Sequence, residues 1–172
     1  MHERLRTAAL LLSLALVAAP AHAATAVPKP LLAQVARLVE LLRDSYATGY
    51  PEATMVQMVS PSQDRKLALA VFTIEAFGGG NNHQQFLAVF EHELDKAGHR
   101  EHYTLVDVMP IGAKGWRAIM ELKAKMVTSK DSQELQFLIP ALEVGPGDAL
   151  NFPSRESTIR LVLNKRLTEI KP

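Results

Sequence analysis

The chain has 172 residues, with 19 basic and 18 acidic side chains, six histidines and no cysteine. This length suits one domain and is enough to bury a sizeable core. A formal net charge of +1 gives no electrostatic basis for binding nucleic acid. The lack of cysteine excludes disulfides, thiol catalysis and thiolate metal sites in this chain.

The first 23 residues have the three parts of a secretory signal peptide. Arg4 and Arg6 precede an apolar run over residues 8–19, and Ala21 and Ala23 offer small residues for cleavage. This run is shorter than the roughly 20 residues that span a bilayer. We therefore expect cleavage near Ala23, one domain over residues 24–172, a periplasmic location and no membrane span in the mature chain.

An amphipathic helix is predicted at the start of the mature chain. Leu31, Val35, Leu38 and Leu42 recur at helical spacing, with polar residues between them. Pro30 suits the first turn, where its missing N–H costs nothing. The predicted helix runs from Pro30 to about residue 46.

Strands are predicted for the rest of the chain, because the apolar period changes to two after residue 64. No helical pattern alternates with them, which favours antiparallel pairing. The predicted strands are 66–77, 83–94, 103–109, 116–127, 133–142 and 157–164, with possible short ones at 55–59 and near Leu167. The predicted fold is α+β: the N-terminal helix packs on a curled, mainly antiparallel meander sheet of about six strands, or on a partly open barrel.

The first hairpin also predicts a register. A five-residue loop over residues 78–82 places Phe77 opposite His83, and this pairing sets Phe72 beside Ala88. Both faces of the hairpin are apolar in the middle. We therefore expect it to lie at the centre of the sheet, covered on both sides.

The hairpin loop is the main candidate for ligand binding; its residues are Gly78, Gly79, Gly80, Asn81 and Asn82. Glycines allow backbone N–H groups to converge on an anion, and the asparagine amides add donors and acceptors. No helix follows, so the nucleotide-binding loops that depend on a helix N-terminus are excluded. A hairpin turn that requires positive φ is the competing interpretation.

Three histidines form the alternative site. His92, His99 and His102 lie within the acidic segment 91–102, and imidazoles with carboxylates can ligate zinc or copper. This segment is the basis of the alternative function, a metal-binding protein or a hydrolase. A solvated turn with one half-buried histidine is the competing interpretation.

Asp107 interrupts the apolar run over residues 105–109. A buried carboxylate needs a cation or several N–H donors. Because Lys114 and Arg117 are near in sequence, we predict a structural ion pair between Asp107 and these residues across the next hairpin.

The longest distinctive motif, at residues 71–90, is VFTIEAFGGGNNHQQFLAVF. Through it the chain resembles a family of small uncharacterised exported proteins of Gram-negative bacteria. The likeness continues through residues 105–108, 112–117 and 152–154. Relatives can carry adjacent cysteines where this chain has Asn151 and Phe152. The resemblance implies a periplasmic location and brings no activity to transfer.

Together these features favour a noncatalytic binding domain whose partner is an unknown periplasmic protein or envelope component. Small exported β domains such as lysozyme inhibitors block enzymes with a projecting loop, which makes an inhibitor-like role one form of this hypothesis. No cofactor is expected.

Overall fold

The structure, a computed structural model, describes residues 27–128 and 134–171. The predicted signal peptide and Gln133, where the fifth strand was expected to begin, lie outside the described residues. Short 3₁₀ turns cover Pro51–Ala53 and Phe77–Gly79. The helix and strands are α1 (Lys29–Leu42), β1 (Thr48–Gly49), β2 (Met55–Val59), β3 (Lys66–Glu75), β4 (His83–Leu94), β5 (Glu101–Ala113), β6 (Arg117–Ala118), β7 (Lys125–Thr128), β8 (Leu135–Glu143), β9 (Arg155–Asn164) and β10 (Arg166–Glu169).

The predicted helix is confirmed as α1, but it ends four residues earlier than expected. Arg43 leaves the helical conformation, with φ −75° and ψ 150°. The carboxylate of Asp44 then accepts hydrogen bonds from the N–H groups of Tyr46 and Ala47 at 2.9 and 2.8 Å. Aspartate side chains commonly compete with helical hydrogen bonding in this way. The chain therefore turns at Asp44 and enters β1.

The predicted architecture is wrong. The described residues form one antiparallel sheet of ten strands, in the order β1-β3-β4-β5-β6-β8-β9-β10, with β2 also on β3 and β7 also on β8. The order starts at β1 and ends at β10, so the sheet is open and the curled six-strand meander and the partly open barrel are both overturned. Apolar alternation located the strands, but it carries no information about which edges pair or where a sheet ends.

The predicted strand at 116–127 is split, because its middle leaves the sheet. β6 pairs with β8 at Ala118 and Leu142, and β7 resumes at Lys125 opposite Leu138. We call residues 119–124 the looped-out segment.

Two glutamine side chains hold the ends of the looped-out segment. Gln85 exchanges two hydrogen bonds with the backbone of Ile119, at 2.7 and 3.0 Å. Gln57 does the same with Ala124, at 2.8 and 2.9 Å. Each amide acts as a peptide group would in a ladder, so the backbone groups stay satisfied where the strand is lost.

The first hairpin is confirmed, but its predicted register is wrong by two residues. Glu75 pairs with His83, and Phe72 pairs with Phe86. Ala76 adopts a left-handed conformation (φ 65°), and its N–H donates to the carbonyl of Asn82 at 2.7 Å. The connection is therefore longer than the five residues assumed. A shift of two keeps every side chain on its expected face.

Both faces of the hairpin are covered, as predicted. One face joins β8, β9 and β10 in a core that includes Leu69, Val89 and Phe137. On the other face, Phe72 and Phe90 pack with residues of α1. The helix thus covers the β3–β5 part of the sheet. This packing fixes the position of the β3–β4 connection.

Candidate functional site

Four connections meet at one end of the sheet. They are residues 43–47 between α1 and β1, 76–82 between β3 and β4, 114–116 between β5 and β6, and 144–154 between β8 and β9. We call these residues the loop end. Loops on a rigid sheet are a common place for binding sites, and the loop end contains the predicted ligand-binding loop.

In that loop, the N–H groups of all three glycines already have acceptors within the protein. Gly78 donates to the carboxylate of Asp44 at 2.8 Å. Gly79 donates to Ala76 at 2.9 Å, and Gly80 to Phe77 at 3.4 Å. Gly78 and Gly79 have φ of 65° and 72°, a conformation in which glycine avoids strain. These backbone groups therefore form a turn, and they do not form an anion cradle. Asn81 and Asn82 are exposed.

Direct hydrogen bonds connect the four loops. Asp44 reaches the second loop through Gly78, and the Nζ of Lys114 donates to the carbonyl of Asn81 at 2.7 Å. Gly115 donates to the carbonyl of Leu150 at 2.8 Å, which connects the third loop to the fourth. The loop end is thus one continuous, cross-braced surface.

Two aspartates brace these loops from within. Asp148 accepts hydrogen bonds from the N–H groups of Gly145 and Ser154, each at 2.8 Å, and from the hydroxyl of Ser154. The Gly145 N–H and then the Ser154 hydroxyl hold the pKa of Asp148 below its ordinary value. The Gly78 N–H does the same for the pKa of Asp44. Both carboxylates are therefore charged at neutral pH, and their hydrogen bonds hold the loop backbones in place.

Large apolar side chains project from this braced surface. The exposed fraction is 75% for Phe152, 68% for Tyr46, 57% for Leu150 and 42% for Trp116. Exposed aromatic side chains are typical of protein interfaces. Sequence reasoning missed these residues, although the signal was present: Leu150 and Phe152 are large apolar residues within a connection rich in glycine and proline.

The predicted ion pair between Asp107 and Lys114 or Arg117 is replaced by other contacts. Asp107 accepts a hydrogen bond from the N–H of Leu167 at 2.7 Å, which ties β10 to β5. Lys114 bonds to Asn81, and Arg117 pairs with Glu169. The N–H of Val108 donates to the other oxygen of Asp107 at 2.9 Å, so backbone donors satisfy the half-buried carboxylate.

Arg117 is the main buried charge near the loop end. Its guanidinium forms two hydrogen bonds with the carboxylate of Glu169, at 2.6 and 2.7 Å, and lies 4.0 Å from the ring centre of Trp116. Its Nε donates to the carbonyl of Ile111, a residue at a β-bulge in β5. Arg117 therefore anchors β5, β6 and β10 beneath Trp116.

The three histidines do not converge. His92 pairs with Tyr103 in the ladder, and the next pair is Glu93 with His102. Because successive residues of a strand point to opposite faces, the side chains of His92 and His102 lie on opposite sides of the sheet. His99 is exposed in the turn between β4 and β5. Within the described residues, no group of three histidine, aspartate or glutamate side chains is placed to hold a metal ion.

His92 instead belongs to a small cluster with the buried Tyr103 and the exposed Glu101. Its ring centre lies 5.0 Å from that of Tyr103, and its Nε2 lies 3.4 Å from the Glu101 carboxylate. Burial, followed by the charge of Glu101, raises the pKa of Tyr103 above its ordinary value.

Within residues 27–128 and 134–171, no helix has the length and apolar character needed to cross a bilayer. Comparisons with protein-family models, with curated proteins and with solved structures give no match to this chain.

Proposed function

We propose that the chain is a noncatalytic, exported binding module of the periplasm that docks a protein partner through the loop end. The observation that carries this proposal is the set of large apolar side chains exposed on braced loops, above all Phe152 and Tyr46. The leader-like first 23 residues and the resemblance to exported proteins support the compartment.

A protein partner suits this surface better than an anion does. The glycine N–H groups are engaged internally, and Lys114 already bonds to a carbonyl oxygen. What the loop end offers is aromatic and aliphatic area, the usual source of affinity at protein interfaces. Because Asp44 and Asp148 brace the loops beforehand, less conformational entropy is lost when a partner binds.

The first experiment places a photo-crosslinking amino acid at position 152 in the full chain, expressed in Gram-negative cells. Position 94 is the matched control, because Leu94 is 55% exposed and lies at the end of β4 opposite the 76–82 loop. We expect a crosslinked protein at position 152 that is absent at position 94. An identical crosslinking pattern at the two positions would contradict the proposal.

The second experiment measures affinity with the purified partner. Phe152→Ser and Tyr46→Ser should each weaken binding by about tenfold, the size of an interface residue that contributes substantially. Leu94→Ser, at the opposite end of β4, should leave affinity unchanged. All three side chains are exposed, so the variants should have the melting temperature of the wild-type protein. Unchanged affinity in both loop-end variants would exclude this surface as the docking site.

A further inference from the structure

A pocket of about 670 Å³ lies between the looped-out segment and strands β8 and β9. Met120, Glu121 and Lys123 line one side, and Pro140, Leu142 and Glu156 line the other. This volume falls within the range of small-ligand sites, about 300–1,000 Å³. The pocket shares no lining residue with the loop end, and the function proposed above does not depend on it.

The pocket is rigid on the side of the looped-out segment. Gln85 and Gln57 fix both ends of the segment, and Ile119 and Ala124 are buried in the core. On the opposite side, Ile139, Pro140 and Ala141 belong to β8 but have no ladder partner in β6 or β7. The departure of residues 119–124 from the sheet thus creates the pocket.

The charge of the pocket is negative. Glu121 and Lys123 pair with each other at 2.8 Å, so their charges compensate. Within the described residues Glu156 forms no ion pair. One uncompensated carboxylate remains, and it attracts a cation.

The pocket has two carboxylates, and its side-chain donors include the Thr158 hydroxyl and the Lys123 ammonium, which already pairs with Glu121. Glu156 and Glu121 offer carboxylate oxygens, and a carboxylate can only accept. Pro140 has no N–H to donate. The carboxylate of Glu156 therefore favours a ligand that brings hydrogen-bond donors together with a positive charge.

We propose that this pocket binds an arginine side chain of a peptide. A guanidinium carries five N–H donors and no acceptor, and it binds carboxylates through two parallel hydrogen bonds. Its aliphatic stem matches the apolar atoms of Met120, Pro140 and Leu142. A lysine ammonium is more strongly hydrated and cannot form two parallel hydrogen bonds with one carboxylate, so it pairs with Glu156 less well.

The test is an NMR titration of the purified protein with N-acetyl-arginine amide and, as a matched control, with N-acetyl-citrulline amide, which has nearly the same shape without the charge. The arginine probe should shift the backbone amides of residues 120–123, 141–142 and 156–158. The citrulline probe should bind more weakly. Equal affinity for the two probes, shifts that map elsewhere, or no shift at saturating arginine probe would overturn the proposal.

A variant pair tests the role of the carboxylate. Glu156→Gln should weaken binding of the arginine probe by about threefold to fivefold, the effect of one solvent-exposed charge pair. Glu93→Gln removes an exposed carboxylate of β4 that does not line the pocket, and it should leave binding unchanged. Equal affinities in the two variants would show that Glu156 does not hold the guanidinium.

Discussion

The substitution Glu169→Gln tests the buried ion pair that anchors β10. Arg117 has a side chain only 4% exposed, and Glu169 supplies both oxygens that its terminal nitrogens contact. The amide keeps the shape of the side chain but removes its charge. The guanidinium would then remain buried with one acceptor fewer, which is costly in a low-dielectric surrounding.

The expected loss follows from these exposures. Breaking a buried pair by changing one partner costs about 3–5 kcal/mol, and we take the lower end because Glu169 is 21% exposed. A loss of about 3 kcal/mol in unfolding free energy should lower the melting temperature of a domain of this size by about 6–12 °C. Urea unfolding at pH 7 measures the same quantity from the shift in midpoint.

Glu143→Gln is the matched control, because the pair of Glu143 with Arg155 has the same chemistry at the surface. Its arginine is 61% exposed, so the expected loss is at most about 1 kcal/mol. If Glu169→Gln lowers the free energy of unfolding no more than Glu143→Gln does, the buried pair of Arg117 and Glu169 stabilises the fold no more than a surface pair.

The pH dependence gives an independent check. The hydrogen bonds from Arg117 hold the pKa of Glu169 below its ordinary value. A lowered folded-state pKa adds stability above the unfolded-state pKa of about 4.3, and that stability is lost as the pH falls through the folded-state pKa. The wild type and Glu169→Gln should therefore differ most at neutral pH and converge in acid. A difference that stays constant from neutral pH into acid would contradict this assignment.

Two further predictions concern the loop end and its support. The chemical shift of the Gly78 amide proton should follow the titration of Asp44 with a midpoint below pH 3.8, since the Gly78 N–H lowers the pKa of that carboxyl. Asp44→Asn should abolish this pH dependence, and a midpoint at or above 3.8 would refute the contact. Gly112→Ala should lower the free energy of unfolding in urea by about 1–3 kcal/mol, because the added Cβ would lie 2.7 Å from the carbonyl oxygen of Arg117 and 2.8 Å from the Gln85 amide oxygen. An unchanged unfolding midpoint would show that these two groups can move aside without loss of stability.

The sequence predicted local features of the fold well. Alternating apolar residues located β3 and β4, and the prediction that both faces of their hairpin are covered is confirmed. The register was not predictable from loop length, because Ala76 adopts a left-handed conformation that glycine usually takes. The strand order depends on edge pairing between distant segments, which a period of two does not encode.

The candidate site was predicted only in part. The glycine loop was found from its composition, but the acceptor of the Gly78 N–H is Asp44, 34 residues away in the sequence. Trp116 was assigned to a strand, whereas it lies in the turn before β6. Asp107 was recognised as a carboxylate in need of donors, but its donor comes from Leu167. Such long-range partners become known only from the packed structure.

In an ordinary sheet, the number of residues in a strand and the face to which each side chain points are coupled. The two glutamines that hold the looped-out segment separate these properties. In an ordinary strand, an inserted residue reverses the facing of every side chain that follows it. Here Gln85 holds Ile119, where the segment begins, and Gln57 holds Ala124, where it ends. The number of residues between Ile119 and Ala124 can therefore change while the side chains of β6 and β7 keep the faces to which they point. The fold thus contains a position where a longer peptide can be grafted with the β8 ladder left intact.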